Sequence, residues 1–283
     1  MSMLEEVTGR GVKLESYQTD EIIVKRQDNI AWIIINRPAR MNAVAPHVME
    51  QIGDAIDAVD ADISIRCLIL TGTGQRAFSA GGDFKPGSTL MQIVAEPLSD
   101  FVDFYRRVHR RCIVRMQRMK IPTIAMVNGI AYGAGMDIAM ACDIRTGCEN
   151  SRFASAWLWR GMVPVAGLTW TLPRVIGLGR AQDMFITGRV VDSEEAYRIG
   201  ILNRLFPADR LEEETLALAR EAASKAPLAQ AYAKLNCYIG MHMNIESALD
   251  TVGGYQSIIL RSADFQEAVA AFQERREPTF KGR

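Results

Sequence analysis

At 283 residues, with 33 basic and 33 acidic side chains and a formal net charge of +0, the chain is long enough to bury a substantial core, in one large domain or in a core with a smaller appendage. That charge balance argues against a general nucleic-acid binder, which carries a basic excess. The five cysteines (Cys67, Cys112, Cys142, Cys148, Cys237) form no CxxC pair and the three histidines (His47, His109, His242) do not cluster with them, so neither a metal site nor a disulfide framework is expected. The opening "MSMLEEVTGRGVKLESYQTDE" carries early acids and no apolar core, unlike a leader peptide, and no apolar run is long enough to span a bilayer. A cytoplasmic protein with reduced thiols and no membrane contact is the expectation.

In chain order, "EIIVKRQ" and "IAWIIINRP" predict two strands separated by the turn-like "QDN", and "PHVMEQIGDAIDAVDAD" then spaces its apolar residues as a helix does. An apolar strand, "RCLILTG", runs into the Gly-rich "TGTGQRAFSAGGDFKPG"; the helical "SDFVDFYRRVHRRCIVRMQRM" leads to the strand "PTIAMVNG" and to a second Gly-rich stretch that opens another helix. This alternation predicts an α/β core. Beyond Arg180 only helices are expected, from "RAQDMFITG" to "ADFQEAVAAFQERREP", with caps such as the Asp of "DSEEAYRIG" at their starts. Their apolar faces, Leu216, Leu218 and Ala222 in one and Ala268, Ala271 and Phe272 in another, need cover, which a neighbouring subunit would supply.

The two Gly-rich loops, "AFSAGGD" (Ala77 to Asp83) and "YGAGMD" (Tyr132 to Asp137), each follow a strand. Small residues there let a ligand approach the backbone, whose unpaired N–H groups can face an anionic or polarised oxygen. Tight turns alone would also account for either loop. "GAGMDI" begins as a dinucleotide fingerprint does, but Ile138 stands where a third small residue belongs and "SRFASAWLWR" lacks a ribose-binding acid, which argues against a nicotinamide enzyme.

Taken together, "INRPARMNAV", "AFSAGGDFK", "VNGIAYGAGMDIAMACDIR", "GLGRAQDMFITGRVVDSEEAYRIGILNRLFP" and the closing "AFQERREPTFKG" strongly resemble the crotonase, or enoyl-CoA hydratase/isomerase, superfamily, from about Glu21 to the end of the chain. The resemblance implies a spiral of ββα units over residues 21–206 carrying the acyl-CoA site, and a helical region over 207–283 that builds trimers, commonly stacked into hexamers; residues 1–20 would be an N-terminal extension. It also implies that the backbone N–H groups of Gly82 and Ala134 hold the thioester carbonyl oxygen. Arg40, Ala43, Arg76 and Ala80 would lie along the CoA moiety, and Phe280 and Lys281 would reach a CoA site, often that of a neighbouring subunit. Coenzyme A would arrive as part of the substrate, with no separate cofactor and no metal.

A hydratase of that superfamily carries two glutamates that hold a water between them. At the first position this chain has Asp137, at the second Trp157. The dienoyl-CoA isomerases, which resemble it in having an aspartate at the first position, would also have carboxylates at the places of Trp157 and Val165. Met136, Ile138 and Trp157 would desolvate Asp137 and raise its pKa, suiting it to proton transfer; an aspartate that merely stabilises a helix start is the alternative. Trp157 and Trp159, read as lying on one strand and so on one face, together with Met136 would line the acyl pocket and favour a ring-containing or conjugated acyl group. Asp83 and Asp143 are read as structural. The expected function is an enoyl-CoA hydratase or isomerase-type reaction through a thioester enolate, with Asp137 as single acid/base. A β-keto acyl-CoA hydrolase or lyase, a CoA-binding protein without turnover, and an RNA binder are the alternatives.

Overall fold

The computed structural model describes residues 18–282 except Glu96, so that most of the expected extension over residues 1–20 lies outside the described residues. Strands β1 (Ile22–Gln27) and β2 (Ile30–Ile35) form an antiparallel hairpin, turned by Asp28 at φ 56°. β2 is almost wholly apolar because both of its faces are covered, as central strands of parallel sheets require. Helix α1 (Pro46–Ala61) starts with proline at its first position and lays Val48, Met49, Ile52, Ile56 and Val59 on the core, the i, i+3/i+4 stripe that its sequence spells out. β3 (Cys67–Gly72) and β4 (Ala77–Ser79) follow.

Next come α2 (Thr89–Val94) and a continuous helical run in which α3 (Leu98–His109) passes through a π-turn (Arg110–Val114) into α4 (Arg115–Arg118). Strands β5 (Thr123–Val127) and β6 (Ile130–Tyr132) lead to the fully buried α5 (Ala134–Ala141), then to β7 (Ile144–Cys148) and β8 (Arg152–Ala154). Helices α6 (Leu168–Ile176), α7 (Leu178–Thr187) and α8 (Ser193–Ile199) precede β9 (Arg204–Phe206).

Strands of successive pairs are dealt to two sheets. A six-stranded sheet runs β1-β2-β3-β5-β7-β9, parallel from β2 onward, and a three-stranded parallel sheet runs β4-β6-β8. Each turn of chain therefore contributes one strand to each sheet, which is the expected spiral of ββα units. The main core lies between the large sheet and α1, the π-turn and α5; a second one, with Trp32, Ile69 and Met126, lies on the sheet's other face under Leu211 and Ala219. Four strands escape the periodicity reading, β4, β6, β7 and β9, the last of them inside the stretch expected to be helical, and β8 lies ahead of the strand read at Trp157 and Trp159. All five are only three to five residues long, and a short apolar run between turns carries no period by which to tell strand from helix.

After β9 everything is helical: α9 (Leu211–Ala223), α10 (Pro227–Gly240), α11 (Ile245–Ile259) and α12 (Ala263–Glu274). Asp192, Asn244 and Ser262 cap their helices by accepting backbone N–H bonds at 2.9, 2.8 and 3.1 Å. α9 packs on the large sheet, whereas α10 and α11 bury no residue fully and leave Ile245, Leu249 and Ile258 exposed. Lys234 moors α10 to the core through Asp143 at 2.7 Å and the carbonyls of Met116 and Ile121, both at 3.2 Å. No helix among the described residues is long and apolar enough to cross a membrane.

Candidate active site

The spiral brings the two Gly-rich loops into backbone contact. Gly81 has φ +90°, and a Cβ there would sit 2.5 Å from the Tyr132 carbonyl oxygen and 3.3 Å from the Ala134 nitrogen; one on Gly135 would sit 2.4 Å from the Ser79 carbonyl oxygen. Only hydrogen fits at these two places. The result sets Gly82 beside the N-terminus of α5, whose first residue is Ala134. Neither the Gly82 nor the Ala134 N–H has an acceptor among the described residues; at Ala134 this follows from its position, since the first N–H groups of a helix have no partner within it.

Both residues border an apolar cavity of about 70 Å³, lined also by Met49, Phe84, Leu90, Tyr105, His109 and Trp157. An outer cavity of about 230 Å³ shares Gly82, Phe84 and Trp157 and adds Ala80, Tyr132, Trp159 and Arg160. The shared residues make the two cavities adjoin, a layout with room for an elongated substrate.

Asp137 lies one turn into α5 and is 2 % exposed. It does not cap the helix, whose N-cap is Gly133 with no side-chain bond. Its Oδ2 accepts the Trp157 indole N–H at 3.0 Å, and its Oδ1 has no hydrogen-bond partner. Burial drives its pKa up to about 8, against the weaker opposing pull of the indole N–H and of the Leu168 N–H, which acts on the carboxyl without the geometry of a full hydrogen bond. Desolvation outweighs the helix N-terminus here because the carboxylate is wholly removed from water. The carboxyl group is therefore mostly protonated at neutral pH. It lines neither cavity; the Trp157 ring stands at the wall in front of it.

The remaining sequence-derived candidates are distributed as follows. Trp157 and Trp159 do not lie on a strand: β8 ends at Ala154, and the chain turns through a 3₁₀ segment, Leu158–Arg160, closed by Gly161 at φ +67°. The tryptophans consequently leave in different directions, Trp157 toward Asp137, and Trp159 to donate to the Gly188 carbonyl at 2.9 Å and meet Tyr132 edge-on. Met136 is wholly buried in the main core and lines neither cavity. Ala80 borders the outer cavity and donates to the Met41 carbonyl at 2.9 Å. Arg40 extends to Asp83 at 3.5 Å and the Ala43 carbonyl accepts from Arg37.

Arg76 is exposed ahead of β4 and lines neither cavity. Lys281 and Gly282 donate their N–H groups to the buried Asp264 carboxylate at 2.6 and 2.8 Å, which ties the tail, with Phe280, to α12 rather than to the cavities of its own chain. Asp83 accepts from Arg37 at 3.0 Å, and Asp143 bonds Thr123 and Lys234, so each carboxylate is held by its neighbours. Among the described residues no group of three or more His, Cys, Asp or Glu side chains could hold a metal ion.

Sequence reasoning passed over Phe84, Tyr105 and His109. The last two were legible in principle: 105, 109, 112 and 116 share one helix face, and Cys112 and Met116 on that face are fully buried. A Tyr and a His on the core side of an otherwise basic helix therefore point inward.

The enoyl-CoA hydratase/isomerase family model matches residues 25–283. Crotonyl-CoA hydratase of Syntrophomonas wolfei is 32 % identical over 92 % of this chain and 98 % of its own. The 1,2-epoxyphenylacetyl-CoA isomerase of Escherichia coli is 30 % identical over 91 % and 97 %. The crystal structure of an enoyl-CoA hydratase from Bacillus anthracis superposes with a TM-score of 0.86 at 28 % identity, covering 93 % of this chain and 100 % of that one. With its ββα spiral, apposed Gly-rich loops and helical C-terminal region, the chain belongs to the enoyl-CoA hydratase/isomerase family and is an acyl-CoA-processing enzyme of that family.

Proposed function

We propose that the enzyme stabilises the enolate of an acyl-CoA thioester between the N–H groups of Gly82 and Ala134, and that Asp137 is the one acid/base supplied by the two carboxylate positions of the family. The observation that carries this reading is the state of Asp137: buried behind the cavity wall, pKa about 8, one oxygen held by Trp157 and the other unpaired. A carboxyl group that can hold a proton at neutral pH can also deliver it to carbon. Each oxyanion donor would contribute about 3 to 4 kcal/mol of barrier lowering.

Trp157 stands where a second carboxylate would orient a water, so migration of a double bond within an enoyl-CoA is favoured over hydration. It is notable that one relative is named as an isomerase of an acyl-CoA. Phe84 and Trp157 at the cavity wall support a flat, conjugated or ring-containing acyl group. The outer cavity beside Ala80 would receive the pantetheine arm, with Arg40, Ala43 and Arg76 toward the CoA phosphates and adenine, and Phe280 and Lys281 would serve a neighbouring subunit in a homotrimer or hexamer.

The test is turnover of α,β- and β,γ-unsaturated acyl-CoA thioesters, linear and cyclic, with Gly82→Pro beside the wild type. The reading expects isomerisation by the wild type and a 10²- to 10³-fold lower kcat in the variant. A second reading, a CoA-thioester binder without turnover, draws on the fact that Asp137 lines neither cavity; tight binding with no turnover of any panel member would select it.

A further inference from the structure

Moving a double bond means taking a proton from one carbon and giving one to another; a carboxylate could do both in turn, but Asp137 in its acid form can only give first. The cavity that holds Gly82 and Ala134 is lined by two titratable side chains, Tyr105 and His109. His109 is the last residue of α3, just before the π-turn, and π-turns recur at functional sites because they re-aim the side chains around them.

Its Nδ1 lies 2.7 Å from the Tyr105 carbonyl oxygen. A carbonyl only accepts, so Nδ1 carries the proton and donates it, and the lone pair is left on Nε2. That atom makes no hydrogen bond among the described residues, and the ring is held by stacking on Tyr105 with centroids 3.8 Å apart. Burial lowers the pKa of the imidazole, against the bond to Tyr105, so at neutral pH the ring is uncharged and able to accept.

We propose that His109 is the second catalytic residue of this site, its Nε2 acting as the base that removes a proton from the carbon next to the thioester carbonyl. This rests on the enolate reading above. The C–H bond breaks, its proton goes to Nε2, and its electron pair enters the thioester, whose oxygen is held by the Gly82 and Ala134 N–H groups. Protonation of the far carbon by Asp137, which requires the Trp157 ring to shift from the wall in front of it, then forms the new C–H bond and moves the double bond. The enzyme is left as imidazolium and carboxylate, and one proton returns from His109 to Asp137 through solvent. No oxidant or co-reactant enters.

The experiment follows deuterium uptake from heavy water next to the carbonyl of a β,γ-enoyl-CoA, in the wild type, His109→Gln, His109→Asn and Asp137→Asn, with added imidazole as a rescue agent. Loss of 10²- to 10⁴-fold in exchange for both histidine variants, with thioester binding retained and partial recovery by imidazole, is the expected result. Full exchange in a folded His109→Gln or His109→Asn variant, alongside loss in Asp137→Asn, would overturn the role of His109 and leave the enolate reading standing. Loss without any recovery by imidazole, together with weakened thioester binding, would reduce His109 to packing. Absence of exchange in the wild type across the panel would overturn both.

Discussion

Trp157 donates its indole N–H to Asp137 at 3.0 Å, joining residues twenty apart in sequence and closing the wall between a buried acid and the apolar cavity. An indole cannot take a proton at neutral pH, so the pair has one group that titrates. Its first consequence is electrostatic. Trp157→Phe keeps the ring's bulk and removes the donor that lowers the Asp137 pKa. A hydrogen bond to a charged group is worth about 1.5 to 3 kcal/mol, or roughly one to two pH units. The Asp137 titration, followed by the carboxyl NMR shift or by the pH–rate profile, is expected to move up from about 8 by that amount.

Stability should carry the same signature. The folded-state pKa of Asp137 is about 8, against 3.8 for the free side chain, so between those values the folded protein binds a proton that the unfolded chain has released. Stability therefore falls as pH rises from about 4 to about 8, and the penalty is complete above that window. Asp137→Asn, which cannot ionise, is expected to be more stable than the wild type at pH 9, with the gain shrinking toward pH 5. Thermal unfolding at the two pH values measures it.

The contact between the loops is equally testable. Gly81→Ala would force a Cβ to within 2.5 Å of the Tyr132 carbonyl at φ +90°. The expected cost is at least about 2 kcal/mol from the left-handed backbone alone, with further loss as the loops part. Because separation misplaces Gly82 relative to Ala134, kcat should fall further than the fraction of unfolded protein explains; chemical denaturation and steady-state kinetics on one preparation separate the two effects.

Helices α10 to α12 present Ile245, Leu249, Ile258 and Phe272 to solvent, the last 85 % exposed. Isolated soluble domains rarely leave so large an apolar surface uncovered, and a second and third copy of the chain would cover it. Light scattering is expected to give a trimer or its double for the wild type and a smaller species for Ile245→Glu combined with Phe272→Glu. A wild-type monomer at micromolar concentration would contradict this.

Much of this was legible from residues. The apolar stripe of α1, the run "IAWIII", and the two small-residue loops dictate local structure strongly enough that spacing alone located them. Short strands such as Arg204–Phe206 have no period to read, and the 3₁₀ turn at Leu158–Arg160 is imposed by the end of β8 and by Gly161 rather than by the tryptophans themselves. That Trp157 stands where the resemblance implies a second carboxylate was visible in the sequence; its bond to Asp137 was not, because it depends on the direction in which a turn releases the indole. His109 was missed for a related reason. The helix face it shares with Cys112 and Met116 is readable from spacing and turns it inward, but only the fold brings it to the cavity that Gly82 and Ala134 border.

The central claim is that Asp137 moves a proton to or from a thioester enolate. Deuterium incorporation from heavy water into the acyl carbons of linear and cyclic acyl-CoA thioesters, compared between the wild type and the nearly isosteric Asp137→Asn, tests it most directly. The account predicts incorporation by the wild type and a loss of at least about 10²-fold at the protonated carbon in the variant, with the thioester still bound. Equal incorporation by the two proteins, or binding without incorporation by either, would contradict it.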